Sequence, residues 1–181
     1  MVRGAAVTDR ARQDVLLDLL NSTPVVDGVA RDLLADPAAA RSWQRERGGT
    51  GSAEERRRLV AARDALQLVA RGERPPASLA PLLTGVTAAP RLTAEGVSWD
   101  LDVPAPRRMA VEAVLTWSAV QELLPGRLRA CANPECRLFL IDRSRTDRAR
   151  WCSMAVCGNR MKARRHYQRS RGGETEAADR P

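Results

Sequence analysis

All four cysteines of this 181-residue chain fall within twenty-seven positions, at Cys131, Cys136, Cys152 and Cys157. The spacers are four, fifteen and four residues, which makes two short thiol pairs with room for one hairpin between them. Two close pairs converging on a point read as a tetrahedral site with four sulfur ligands, an arrangement that suits zinc. Two disulfides are the alternative, and these need an oxidising compartment reached by export. The opening MVRGAAVTDRARQDVLLDLL carries Arg3, Asp9, Arg10, Arg12 and Asp14 and lacks an uninterrupted apolar stretch leading to a small-residue cleavage site. A cytoplasmic chain is therefore expected, and in a reducing cytoplasm clustered thiols hold metal. An iron–sulfur cluster also takes four thiolates, but the layout of short pair, hairpin and short pair suits zinc better. No run approaches the roughly 18 apolar residues of a membrane span.

The net charge of +8 is concentrated in the same region. Between Cys131 and Ser170 ten basic residues stand against three acidic ones, a local excess of +7. Arginine is abundant throughout, as in chains from GC-rich genomes, but residues 1 to 130 balance theirs with Asp and Glu. A compact basic module beside a nearly neutral one points to a polyanionic partner, most simply nucleic acid.

The fold class expected is α+β, mainly α: a helical N-terminal domain over 1–126 with one β-hairpin, a small zinc finger over 127–170, and a disordered tail over 171–181. The apolar stripe of Val15, Leu16, Leu19 and Leu20 makes a first helix, stopped at Asn21-Ser22-Thr23-Pro24. A second element spans about 25–35. Asp36-Pro37 caps a third, ending at Gly48-Gly49. Ser52 and Glu55 form a capping box for a long helix to about Ala70, with Leu59, Ala62, Leu66 and Val69 on one face. A short apolar helix lies near Leu79–Leu83. The period then drops to two: Arg91–Thr93, a Glu95-Gly96 turn, and Val97, Trp99, Leu101 and Val103 alternating with polar residues describe a hairpin. A last helix, about Arg107–Leu124, buries Met109, Ala113, Val114, Trp117, Val120 and Leu124. Trp43, Trp99 and Trp117 are expected in the core. This part contains no glycine-rich phosphate loop, HExxH pattern or nucleophile elbow.

Within the basic region, Cys131-Ala-Asn-Pro-Glu-Cys136 is a turn able to aim two thiols at one point. Leu138–Ile141 is expected as a strand, Asp142–Arg145 as a turn and Arg148–Trp151 as the returning strand. Cys152 then leads into a helix holding Cys157 and running to about Arg169. Knuckle, hairpin and helix resemble a treble-clef zinc fold.

Cys157-Gly158-Asn159-Arg160, with Arg150-Trp151-Cys152-Ser153 before it and Lys162 after it, resembles the CGNR zinc finger of bacteria; Phe139, Asp142, Ser144 and Arg145 match its spacing too. In that family the finger follows an N-terminal ABATE domain of stress-induced transcription regulators. Leu17-Asp18-Leu19-Leu20-Asn21-Ser22-Thr23 is similar to its opening signature, with an extra Ser between Asn and Thr. The resemblance implies a zinc-dependent, DNA-binding transcription regulator.

The residues themselves supply a mechanism for such a role. Arg143, Arg145, Arg148, Arg150, Arg160, Lys162, Arg164, Arg165 and Arg169 offer cations for phosphates and guanine edges, and Asn159 an amide for an adenine edge. The alternative for Asn159 is a structural hydrogen bond near the metal; Gly158 is expected to permit close packing and His166 to be a plain surface residue. The partners expected are double-stranded DNA, a second copy of the chain and a small-molecule effector sensed by the N-terminal domain, with no membrane. RNA binding and a protein-interaction module with purely structural zinc are the alternatives. An enzyme is not expected, since four thiolates leave no coordination position for an activated water.

Overall fold

Short polar and glycine-rich breaks cut the N-terminal chain into helices whose apolar stripes face one another. The computed structural model describes residues 10–94 and 96–177. Helix α1 (Arg10–Leu20) leads into a miniature antiparallel hairpin, β1 (Val25–Val26) and β2 (Val29–Ala30). Asp27 and Gly28 turn it with φ of 51° and 78°, the left-handed pair that a two-residue hairpin turn of this hand demands. The element expected over 25–35 is thus a hairpin that buries Leu34 and leaves Val26, Val29 and Leu33 exposed.

Helix α2 (Pro37–Glu46) begins where Asp36 accepts the Ala39 amide at 2.7 Å. Helix α3 (Ala53–Ala70) begins where Ser52 Oγ accepts the Glu55 amide at 3.1 Å. The Glu55 carboxylate reaches back to the Gly51 amide (2.9 Å) and the Thr50 hydroxyl (3.1 Å), closing the expected capping box one residue early. A 3-10 helix follows over Pro76–Leu83, then strands β3 (Thr87–Thr93) and β4 (Gly96–Asp102), paired in register from Thr87↔Asp102 to Thr93↔Gly96. Glu95, in the expected turn, lies outside the described residues. Helix α4 (Ala105–Leu123) then packs across α1 and α3.

The core contains Leu16, Leu19, Leu20, Leu59, Leu66, Val69, Met109, Ala113, Val114 and Val120, most of the residues their periodicity selected. Trp43 and Trp117 pack half-buried against it. Trp99 does not: at 38% exposure it stands on a hairpin whose residues are mostly exposed. Arg63, on the buried side of α3 and 3% exposed, is held by Asp32 at 2.7 and 3.0 Å and by Ser22 Oγ at 3.2 Å. A charge so deep is tolerable because its guanidinium donors are met.

The chain then forms β5 (Leu128–Ala130) and β6 (Phe139–Ile141), antiparallel in the register Leu128↔Ile141. This corrects the expected pairing of 138–141 with 148–151: β6 pairs backwards, with a strand periodicity had not picked out, and 148–151 is irregular. Leu128, Phe139 and Ile141 are buried in the same cluster as the helical leucines. The hairpin that carries the first cysteine pair is therefore part of the helical core. Among the described residues no helix is long and apolar enough to cross a membrane.

Candidate metal centre and basic face

Strand β5 delivers Cys131, and the ladder continues across the turn because the Cys131 amide donates to Leu138 O at 2.8 Å. The turn is built on Asn133, 1% exposed. Its Oδ1 accepts the Glu135 amide (3.2 Å), its carbonyl accepts the Cys136 amide (2.9 Å), and its Nδ2 donates to Cys157 Sγ (3.5 Å). One side chain thus shapes the knuckle and supports a sulfur of the other pair. The sequence marks the residue as a turn former; its reach to Cys157 depends on the folded chain.

The second pair comes from a different device. Ser153 Oγ accepts the Val156 amide at 3.3 Å, and a single π turn, Met154–Gly158, closes with Gly158 N donating to Ser153 O at 3.0 Å. The wide turn directs Cys157 inward to 4% exposure before α5 (Asn159–Ala177) begins. Gly158 packs closely: a β-carbon there would stand 2.8 Å from Met154 Sδ and 3.2 Å from the Trp151 ring, so a larger residue would displace the exposed Met154 side chain. Helix α5 runs past Arg169 to Ala177, so the boundary expected at 170 falls inside a helix; 178–181 lie outside the described residues.

The four sulfurs lie within 4.8 Å of one another, with Cys136–Cys152 at 3.7 Å and Cys152–Cys157 at 3.6 Å. A tetrahedron with metal–sulfur bonds of about 2.3 Å has edges of about 3.8 Å, whereas a disulfide needs about 2.05 Å. The cluster therefore fits one ion held by four thiolates and does not fit two disulfides. Burial pushes the Cys136 thiol up to about 11 and raises that of Cys152. For Cys157 burial pulls the same way, but hydrogen bonds from the Asn133 amide and the neighbouring thiols outweigh it and lower the pKa. The cage thus stabilises negative charge at Cys157 and needs a cation to ionise Cys136 and Cys152.

Between the pairs, the loop 142–151 is organised by Asp142, which is 1% exposed. Its carboxylate accepts the amides of Ser144 and Ala149, both at 2.8 Å, and faces Arg129 at 3.6 Å. A hydrogen bond with the Ser144 side chain, foremost, outweighs burial together with those amides and Arg129, and holds the pKa down at about 2. Arg129 also pairs with Asp147, and Arg127 donates to the carbonyls of Asp142 (3.1 Å) and Ser144 (2.6 Å). The loop is clamped from beneath by β5 and its neighbour.

The basic residues divide by their partners. Arg143 turns to α1, donating to Asp14 at 2.7 Å and to Gln13 at 3.3 Å. Arg164 pairs with Glu135 at 3.0 Å and ties α5 to the knuckle. Arg150 lies over Trp151, 5.3 Å from the ring centre. Arg145, Arg148, Arg160, Lys162, Arg165 and Arg169 are exposed and, among the described residues, lack a carboxylate partner. Asn159, also exposed, donates to Ala155 O at 3.3 Å. That is the structural hydrogen bond near the metal considered for Asn159, while the amide that reaches a sulfur belongs to Asn133.

The comparisons agree with this geometry. Residues 127–170 match the model of the CGNR zinc finger. Residues 13–133 match that of the ABATE domain, described as "Putative stress-induced transcription regulator". The two spans share 127–133, the stretch that includes β5 and opens the knuckle, which packs into the helical core while presenting Cys131 to the cage. No curated protein matches the chain. An ABATE match over more than half the chain, continued by a finger whose four sulfurs converge, places this protein in the ABATE family, with a CGNR zinc finger following the ABATE domain.

Proposed function

We propose that this protein is a zinc-dependent transcription regulator that grips duplex DNA through the basic face of its finger. The observation that carries the reading is the set of unpaired cations on α5 and the 145–148 loop, held on a thiolate frame. Four sulfur ligands at tetrahedral spacing favour zinc over harder cations. When bound, the ion supplies charge and rigidity and performs no chemistry, because its coordination is filled; the proposed role is therefore non-catalytic.

The chain's own residues do the rest. Arg145, Arg148, Arg165 and Arg169 offer phosphate contacts, which position the protein without reading sequence. Asn159 and Arg160, at the start of α5, would read base edges: an arginine fork matches guanine and an amide matches adenine. Arg143 has been claimed by Asp14 and is assigned to docking instead. RNA remains the second polyanion considered, but a stacking platform needs exposed aromatics, and on α5 Tyr167 is the single one.

The test is a binding assay with full-length protein and sheared genomic duplex DNA. Zinc-loaded protein is expected to bind in a salt-sensitive manner, and chelated protein to lose most of that binding. If the zinc-loaded protein ignores duplex DNA at low salt, the reading fails and a protein-interaction module takes its place.

A further inference from the structure

The cationic surface of the finger is interrupted by an apolar patch. Met154, Ala155 and Val156 stand exposed in succession on the π turn that precedes α5, Met154 at 54% and Val156 at 56%. A run of exposed apolar residues on a folded surface calls for something that binds there. The metal cage does not require these side chains. Ser153 closes the turn, its Oγ accepting the Val156 amide and its carbonyl the Gly158 amide. Met154 lies across Gly158 beside the Trp151 ring, whereas Val156 lies outside the hydrophobic core.

The patch is fixed to the start of α5. Asn159 donates its backbone N–H to Met154 O and Val156 O, and its side-chain amide to Ala155 O at 3.3 Å. Charge selects the occupant. From Arg148 to Arg169 the chain carries seven Arg and Lys and no Asp or Glu. Arg150 precedes the patch, and Arg160 and Lys162 follow it, all exposed. The surface that fits is therefore anionic around an apolar centre. Duplex DNA has this form in its major groove, where phosphates run along both edges and the C5-methyl of thymine is the apolar group among the base edges.

We propose that Met154, Ala155 and Val156 form a thymine-reading patch, in which Val156 covers the 5-methyl group of a thymine in the major groove while Met154 and Ala155 close the contact against water. The inference rests on the DNA reading above and adds to it an apolar preference that phosphate contacts do not supply. Val156 lies one turn ahead of Arg160 on a continuous helical stretch. Four helical residues advance by about 6 Å, and a base step is about 3.4 Å, so the thymine lies within about two base pairs of the base that Arg160 contacts.

The test uses full-length, zinc-loaded protein and duplexes that it selects from a random pool. Each selected duplex is resynthesised with one thymine at a time replaced by deoxyuridine, which removes the methyl group and leaves every hydrogen-bonding group in place. Loss of the covered methyl should weaken binding about threefold to fivefold, at one or two positions only. Val156→Ala, at an exposed site, should weaken the thymine duplex by a similar factor and bind the thymine and deoxyuridine duplexes alike. Its zinc content and salt slope should be unchanged, because no phosphate contact is lost. Val156→Ile should keep the preference. A protein that binds no duplex overturns both the DNA reading and this assignment. Salt-sensitive binding indifferent to deoxyuridine at every position leaves the DNA reading standing and overturns the patch. So does a Val156→Ala protein that still distinguishes the two duplexes, whether or not it binds both more weakly.

Discussion

The side-chain amide of Asn21 pairs with both backbone groups of Phe139: its Oδ1 accepts the Phe139 amide at 2.7 Å and its Nδ2 donates to the Phe139 carbonyl at 3.1 Å. Asn21 ends α1, and Phe139 opens the strand that follows the first cysteine pair. A residue 118 positions away thus completes the hydrogen bonding of β6, as a neighbouring strand does. Arg71 adds to the joint by lying over the Phe139 ring, 4.6 Å from its centre, and donating to Arg137 O at 3.1 Å. Asp14 and Arg143 close it on the far side.

Asn21→Ala leaves two backbone groups of a buried strand without partners, and is expected to destabilise the whole chain by about 2 kcal/mol. Urea unfolding followed by dichroism reads the loss. Asn21→Asp should not rescue it, because a carboxylate keeps the acceptor for the Phe139 amide and repels the Phe139 carbonyl. Hydrogen exchange at the Phe139 amide should accelerate in both variants; unchanged protection would mean that the joint contributes nothing.

Metal removal should act unevenly. The loop 142–151 and the start of α5 depend on the thiolate cage, whereas Leu128, Phe139 and Ile141 are buried in the helical core. Chelation is therefore expected to raise exchange sharply over 143–165, while β5, β6 and α1–α4 keep most of their protection. Cobalt titration should give one equivalent with the strong visible bands of a tetrahedral thiolate site, lost in any single Cys→Ser variant.

Metal affinity should also fall with pH. Burial raises the Cys136 and Cys152 thiols in the metal-free cage, Cys136 to about 11, so both are protonated at neutral pH and both protons leave when metal binds. The sign is fixed: protons compete with the ion, and binding weakens as pH falls. The Cys136 and Cys152 protons alone contribute about a hundredfold in affinity per pH unit, readable by competition with a chelator of known affinity between pH 8 and 6. A pH-independent affinity contradicts the cage described.

Asp142→Asn keeps the shape of the side chain that organises the loop and removes its charge. Its carboxylate holds two amides and faces Arg129, so the amides of Ser144 and Ala149 should exchange faster. Arg145 and Arg148 then lose their fixed positions, and DNA binding should weaken by about 3- to 10-fold without loss of zinc, the scale of one ordinary hydrogen bond.

On DNA, four to six phosphate contacts give a log–log salt slope of about −4 to −5. Arg148→Ala should weaken all sequences alike and flatten the slope by about one. Arg160→Ala should instead cost about 1 to 3 kcal/mol on a preferred site, selected from random duplexes, and little elsewhere. Arg143→Ala separates docking from binding: it should lower stability by removing the bond to Asp14 while leaving the salt slope nearly intact.

Much of this molecule is written locally. The caps at Asp36 and Ser52, the breaks at Asn21 and Gly72, the apolar stripes of α3 and α4 and the β3–β4 hairpin follow from neighbouring residues, because capping, turn formation and periodicity act over a few positions. The four metal ligands are legible for the same reason: thiols this clustered have few other uses. What only the tertiary structure decided is whatever joins distant segments. Strand β5 is three residues long and gains its identity from pairing with β6. Trp99 is apolar and alternates correctly, yet stands exposed, since periodicity chooses a face and not what covers it. Arg143 reads as one more cation until Asp14 lies beside it. Asn21 reads as a helix stop, and its second role needs Phe139 at hydrogen-bonding distance. The Asn21 and Arg143 contacts depend on loops closing over more than a hundred residues, and no short window of sequence contains both partners.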